Sequence, residues 1–110
     1  VNGSGLSTEG RLTPATLVDL LAMARSNDVH TADLLATLAT VGGEGTLHSR
    51  VHVGRGLVRA KTGTIGTVSA LSGVVASPDG SRMLGFSILV NGHDAVATRP
   101  AQDAMVAALV

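Results

Sequence analysis

The chain has 110 residues, with eight Lys or Arg balanced by eight Asp or Glu, no cysteine and a single aromatic residue, Phe86. That balance leaves no basic surface for nucleic acid or an anionic membrane, and no disulfide framework or thiolate chemistry. The length supports one domain with a modest core of Leu, Val, Ile, Ala and Met, and no apolar run reaches the ~20 residues of a membrane span.

Asn2–Gly10 is rich in turn pairs, Asn-Gly, Ser-Gly and Glu-Gly, and reads as an irregular loop held by its own side chains. Thr13-Pro14 opens the first helix, with Thr as N-cap and Pro at the first helical position. Leu17, Leu20, Leu21 and Ala24 recur at three and four residues, Val18 and Met23 widen the stripe, and Ser26-Asn27-Asp28 ends it. Thr31 is placed to cap a second, shorter helix holding Leu34, Leu35 and Leu38, which stops before Gly42-Gly43-Glu44-Gly45. That glycine cluster is not a phosphate loop. A Walker A loop needs Gly directly before its Lys and again five residues earlier, where this chain has Ala60 and Arg55. His48 and His52 are four apart, but Ser49 stands where a zincin needs Glu, so no metal site is expected.

Three strands follow: Leu57–Thr64, then Val68–Ala76 after Ile65-Gly66-Thr67, then Arg82–Asn91. Ser77-Pro78-Asp79-Gly80-Ser81 is a strong turn and predicts an antiparallel hairpin. In the last strand Leu84, Phe86, Ile88 and Val90 share one face, and Met83, Gly85, Ser87 and Leu89 the other. Both faces are small or apolar, which implies a sheet covered on both sides. After Asn91-Gly92-His93-Asp94, Pro100 starts a last helix with Ala104, Met105, Ala108 and Leu109 as its buried stripe.

The chemistry concentrates at Lys61-Thr62-Gly63-Thr64, at the lip of the sheet. On an extended backbone Thr62 and Thr64 point to one side, and Lys61 and Gly63 to the other. Two hydroxyls about 7 Å apart beside a cation form a cradle for a carboxylate. Gly63, lacking Cβ, leaves room for another segment. No Gly-x-Ser-x-Gly nucleophile elbow exists, and nothing places a serine beside His93-Asp94.

Lys61-Thr62-Gly63-Thr64 leads into Leu71-Ser72-Gly73-Val74-Val75, Asp79-Gly80 and a third strand. Upstream stand Gly3-Ser4-Gly5-Leu6-Ser7 and Gly45-Thr46-Leu47 followed by Arg50. This order resembles the carboxy-terminal part of the serine-type D-alanyl-D-alanine carboxypeptidase/endopeptidase family (peptidase family S13, the class C low-molecular-mass penicillin-binding proteins), across nearly the whole chain. Asn2 and Thr8 depart from the Asp and Arg usual in that family.

The resemblance implies an α/β (α+β) fold with an antiparallel sheet flanked by helices. Residues 1–110 would then be a carboxy-terminal fragment of the penicillin-binding catalytic domain, half of a β-lactamase/transpeptidase-like fold. It implies substrate-binding roles for Lys61, Thr62, Gly63 and Thr64, catalytic roles for Lys61 and Thr64, and no cofactor. The implied partners are a peptidoglycan peptide ending in D-Ala-D-Ala, β-lactams and the amino-terminal part of the same protein, with no nucleic acid. The implied location is extracytoplasmic, with a signal peptide upstream. The family's Ser-x-x-Lys nucleophile motif does not occur in these residues, and its Ser-x-Asn motif has no convincing match, so the chain alone is expected to be inactive. The alternatives are a β-lactamase or transpeptidase of the same superfamily, against which the Gly-Ser-Gly-Leu-Ser opening argues, and a non-catalytic binding or scaffold domain.

Overall fold

The computed structural model describes residues 3–26 and 33–110. Expectations for Asn2, Asn27, Asp28 and Thr31 fall outside those residues.

Helix α1 spans Pro14–Arg25 and starts as its sequence dictates. The Thr13 side chain accepts the Thr16 N–H at 3.1 Å, and Pro14 takes the first turn, where a missing N–H costs nothing. Its buried stripe is narrower than the spacing predicts: Leu21 and Ala24 are buried and Leu17 and Val18 half-buried, while Leu20 and Met23 are exposed. The reason is the surface it covers. Helix α1 packs mainly on the last strand, Met83–Val90, and to a lesser extent on its neighbour Val68–Ala76, with Val18 and Leu21 directly above Gly85. Helix α2 is a single turn, Leu34–Thr37, and Leu38 lies beyond it with extended backbone rather than inside it.

The sheet has four strands in the order β1 (Ala39–Thr40), β2 (Val58–Ile65), β3 (Val68–Ala76) and β4 (Met83–Val90), all antiparallel. The three long strands fall where the alternation predicts. Strand β1 adds only two pairs, Ala39 with Ala60 and Thr40 with Arg59, and is too short to show a period of its own. Ile65 pairs with Val68, so Gly66 and Thr67 alone make the β2–β3 turn, with Gly66 at φ 55°, where L side chains are disfavoured.

Register sorts the side chains into two faces. Val58, Ala60, Leu71, Val75 and Phe86 lie on one face and join Val41, Leu47, Val51 and Val106 in the core. Helix α3 (Arg99–Ala107) meets this face through Val106, in the core, and Gln102, bonded to Ser69. The other face carries Lys61, Gly63, Ala70, Ser72, Val74, Gly85, Ser87 and Leu89, and α1 covers its β4 side. The sheet is thus flanked by helices on both faces, in a mixed α+β arrangement.

Helix α3 contradicts the predicted stripe. Ala104, Met105, Ala108 and Leu109 are exposed, and the buried residues are Gln102 and Val106, four apart. A polar cluster sets this rotation. Arg50, only 12% exposed, donates from Nη2 to Asp103 Oδ1 at 2.7 Å and to Gln102 Oε1 at 3.1 Å, and from Nε to Asp103 Oδ1 at 3.1 Å. Ser69 Oγ donates to the same Gln102 oxygen at 3.3 Å. A half-buried guanidinium needs such partners, and turning Ala104 and Met105 inward would remove them. In the loop before β2, Val51 has φ 50° although β-branched, and packs its side chain into the core.

Candidate functional site

Lys61, Thr62, Gly63 and Thr64 occupy the second half of β2. Their orientation follows from the ladder. Ala76 N–H bonds to the Leu57 carbonyl, and Val41 N–H bonds to the Val58 carbonyl from the other side. Successive residues therefore direct their backbone groups alternately. Residues 59, 61, 63 and 65 bond to β3, while Ala60, Thr62 and Thr64 direct N–H and C=O away from it. Strand β1 ends at Thr40, opposite Arg59, so beyond Ala60 this outer edge carries no strand among the described residues. The Thr62 and Thr64 N–H groups accordingly point off an open sheet edge.

The side chains obey the predicted alternation. Thr62 and Thr64 project on the α3 face, half-buried and exposed respectively, and Lys61 and Gly63 on the α1 face. Lys61 is exposed and its Nζ donates to the Thr62 carbonyl, so its stem curls around to the edge. The lysine and the hydroxyls thus leave the strand on opposite faces, and the Thr62 carbonyl brings the ammonium to the edge between them. Among the described residues the one ion pair is Arg50–Asp103, so Lys61 has no carboxylate partner. A Cβ placed on Gly63 would meet only Ala70 Cβ, at 3.5 Å, which leaves the space above Gly63 open.

Two surface depressions, of about 250 and 340 Å³, are lined by Val75, Arg82, Leu84 and Leu109 and by His52, Val53, Pro100 and Asp103, and neither includes Lys61, Thr62, Gly63 or Thr64. What the strand offers along its open edge is two outward N–H donors, two hydroxyls and an ammonium with no carboxylate partner among the described residues. Such a surface suits an extended, anionic ligand lying along the edge.

The other sequence signals fall elsewhere. Leu47 is fully buried and Arg50 serves the α3 anchor, so Gly45-Thr46-Leu47…Arg50 brings the loop before β2 against α3. That anchor escaped the pattern because its members lie about fifty residues apart. Ser4 Oγ accepts the Leu6 N–H at 3.3 Å and Ser7 Oγ the Glu9 N–H at 3.1 Å, making exposed turns of the Gly3–Ser7 segment. Asp94 Oδ1 accepts the Val96 and Ala97 N–H groups, both at 2.9 Å, which makes it a local cap. His48 Nδ1 lies 3.1 Å from the Gly43 carbonyl oxygen. Among the described residues no group of three His, Asp or Glu side chains is placed to hold a metal ion, and no helix is long and apolar enough to cross a membrane.

Comparison with known proteins covers the chain from end to end. The model of the D-Ala-D-Ala carboxypeptidase 3 (S13) family matches residues 1–110. A D-alanyl-D-alanine carboxypeptidase from an Actinomadura species is 42% identical over 98% of this chain and 21% of its own length. Carboxypeptidase DacB of Mycolicibacterium smegmatis is 37% identical over 99% of this chain and 25% of its own length. A carboxypeptidase of Mycobacterium tuberculosis is 36% identical over 83% of this chain and 21% of its own length. The chain therefore spans between a fifth and a quarter of the length of these relatives.

Proposed function

The chain belongs to the D-Ala-D-Ala carboxypeptidase 3 (S13) family, and from that premise we propose that it supplies one wall of a serine-type D-alanyl-D-alanine carboxypeptidase. The substrate is a peptidoglycan stem peptide ending in D-Ala-D-Ala. A serine from the amino-terminal part of the same protein attacks the carbonyl between the two D-alanines. The peptide bond breaks, the terminal D-alanine leaves with a proton, and water hydrolyses the acyl-enzyme.

The observation that carries this reading is the open edge of β2. The Thr64 N–H points away from the ladder and is free to serve as one donor of the oxyanion hole, with the nucleophile's own N–H as the other. One such donor is worth about 3 kcal/mol of barrier. Lys61, which has no carboxylate partner among the described residues, lowers the cost of bringing in the terminal carboxylate, and the Thr62 and Thr64 hydroxyls hold it. The open space over Gly63 admits the helix that carries the nucleophile. β-Lactams acylate the same serine because their carboxylate and carbonyl take the places of those of the dipeptide. The protein works outside the cytoplasm, where its substrate is, and the wall belongs to the sheet half of a transpeptidase-like fold.

The test is covalent labelling of the full-length protein with penicillin, followed by mapping of the labelled peptide. An adduct on a serine in a Ser-x-x-Lys setting upstream of Val1 is expected. A folded full-length protein that forms no adduct would leave a non-catalytic scaffold as the reading. Carboxypeptidase turnover by residues 1–110 alone would overturn the division of roles, since that chain holds the wall without the nucleophile motif.

A further inference from the structure

A row of polar groups crosses the α1 face at the level of Lys61. Register sets Lys61 opposite Ser72, and Ser72 opposite Ser87. Ser72 Oγ and Ser87 Oγ are 2.8 Å apart, and both residues are half-buried. Their neighbours on this face, Ala70, Val74, Gly85 and Leu89, carry no polar side-chain atom, and Val18 and Leu21 of α1 pack beside them.

Two hydroxyls hold two protons and several lone pairs, and the bond between them uses one of each. Neither serine makes another side-chain hydrogen bond among the described residues. A half-buried hydroxyl with unused lone pairs, bordered by apolar neighbours, is open to a further hydrogen-bond donor. The next residue in the row is a lysine, which can only donate. Lys61 and Ser72 form a hydrogen-bonded pair of the ladder, with Cα atoms about 5.5 Å apart, so the flexible lysine stem spans the gap. The ammonium has three N–H donors and one of them is used, by the Thr62 carbonyl.

We propose that Ser72 is a positioning residue for Lys61: its hydroxyl accepts from the ammonium while donating to Ser87, which draws the cation from the sheet edge onto the face above Gly63. The inference rests on the proposed function. It gives Lys61 two stations. At Thr62 the ammonium covers an edge carbonyl that an extended ligand would need, and at Ser72 it clears that edge while keeping its charge beside the site. A polarised chain from Lys61 through Ser72 to Ser87 strengthens each member.

The test measures the second-order rate at which a fluorescent penicillin acylates the full-length protein, with the thermal midpoint of each variant alongside. Ser72→Ala is expected to slow acylation about tenfold, the loss of one hydrogen bond to a charged group. Ser72→Thr keeps the hydroxyl and is expected to return the rate to within about threefold of wild type. In a Lys61→Ala background, Ser72→Ala is expected to change the rate by less than about twofold, because the hydroxyl has no ammonium left to hold. Wild-type rates in Ser72→Ala, a loss that Ser72→Thr does not restore, or an equal loss without Lys61 would each overturn the inference. Should Ser72→Ala fail to fold, Ser87→Ala serves instead: slowing of about threefold supports the chain and an unchanged rate overturns it. Wild-type acylation in Lys61→Ala would remove the proposed function and this inference together, whereas a crippled Lys61→Ala beside an unaffected Ser72→Ala removes the inference alone.

Discussion

Thr64 and Gly63 are adjacent, yet their backbone N–H groups have opposite duties. The Gly63 N–H belongs to the ladder with Ala70, and the Thr64 N–H points off the edge. Proline removes an N–H and is tolerated on a strand edge where that group faces outward. Thr64→Pro is therefore expected to keep the fold, by circular dichroism, and to lower penicillin acylation of the full-length protein by about a hundredfold or more through loss of the proposed oxyanion donor together with the Thr64 hydroxyl. Gly63→Pro is expected to break the β2–β3 ladder and lower the thermal midpoint. The opposite ranking of the two variants would place the donor elsewhere. Gly73 is constrained by space: a Cβ there would come within 2.1 Å of the Arg59 carbonyl oxygen and 2.6 Å of Ala60 Cα. Those are backbone atoms of the candidate strand. Gly73→Ala is expected to cost about 1–3 kcal/mol in denaturant unfolding by forcing β2 and β3 apart. Asp79, in the β3–β4 turn, accepts from the Ser77 and Ser81 hydroxyls at 2.5 and 2.8 Å and from the Ser81 N–H at 3.0 Å. These bonds hold its carboxyl down at about 2, against an ordinary 3.8. A depressed carboxyl contributes stability above its unfolded value and loses that contribution as pH falls through the folded one. The turn is thus expected to loosen between pH 4 and 2, and an NMR titration of Asp79 with a midpoint near 4 would contradict the geometry.

The hairpin elements were the most legible part of the sequence and the helices the least. Strands β2 to β4 announce themselves through alternation and the Ser77–Ser81 turn, because both signals are local. The facing of Lys61 to Thr64 was legible for the same reason: strand parity alone fixes which of them share a side of the sheet. Helix α3 was misread because the side chain that sets its rotation is polar. Gln102 is buried by bonds from Arg50 and Ser69, which are 52 and 33 residues away in sequence, and no periodicity registers such partners. Strand β1 was missed because two residues show no period. Ser72 gave no signal because a serine in a strand reads as neutral until its neighbours are known. The Arg50–Asp103 pair should therefore matter more than an exposed ion pair. Asp103→Ala is expected to destabilise the protein by about 1.5–3 kcal/mol, since it leaves a half-buried guanidinium short of its main acceptor. A change below about 0.5 kcal/mol in chemical unfolding would put this pair with ordinary surface contacts.

At the scale of the whole molecule the sheet ends, among the described residues, in two unpaired edges, the outer half of β2 and the full length of β4. Leu84 is 52% exposed beside the β4 edge, and Met105, Leu109 and Val110 are exposed on and just beyond α3. Long apolar edges recruit further strands. Residues 1–110 in isolation are expected to self-associate, seen as a sedimentation coefficient that rises with concentration. A chain that stays monomeric across the range would show that the edges are protected.

The parity of β2 has a consequence for how such a chain can change over generations. Val58 and Ala60 are held inward by the core, and Thr64 lies an even number of residues beyond both. Inserting or deleting one residue between Ala60 and Thr64 leaves Val58 and Ala60 in place but inverts the rest of β2, turning the outward amide into the ladder and exchanging the faces of the lysine-side groups and the hydroxyls. The turns at Gly66-Thr67 and around Asp79 carry no such count and are free to lengthen. Descent of this wall should thus tolerate many substitutions and variable turns, yet keep the number of residues from Val58 to Thr64 unchanged.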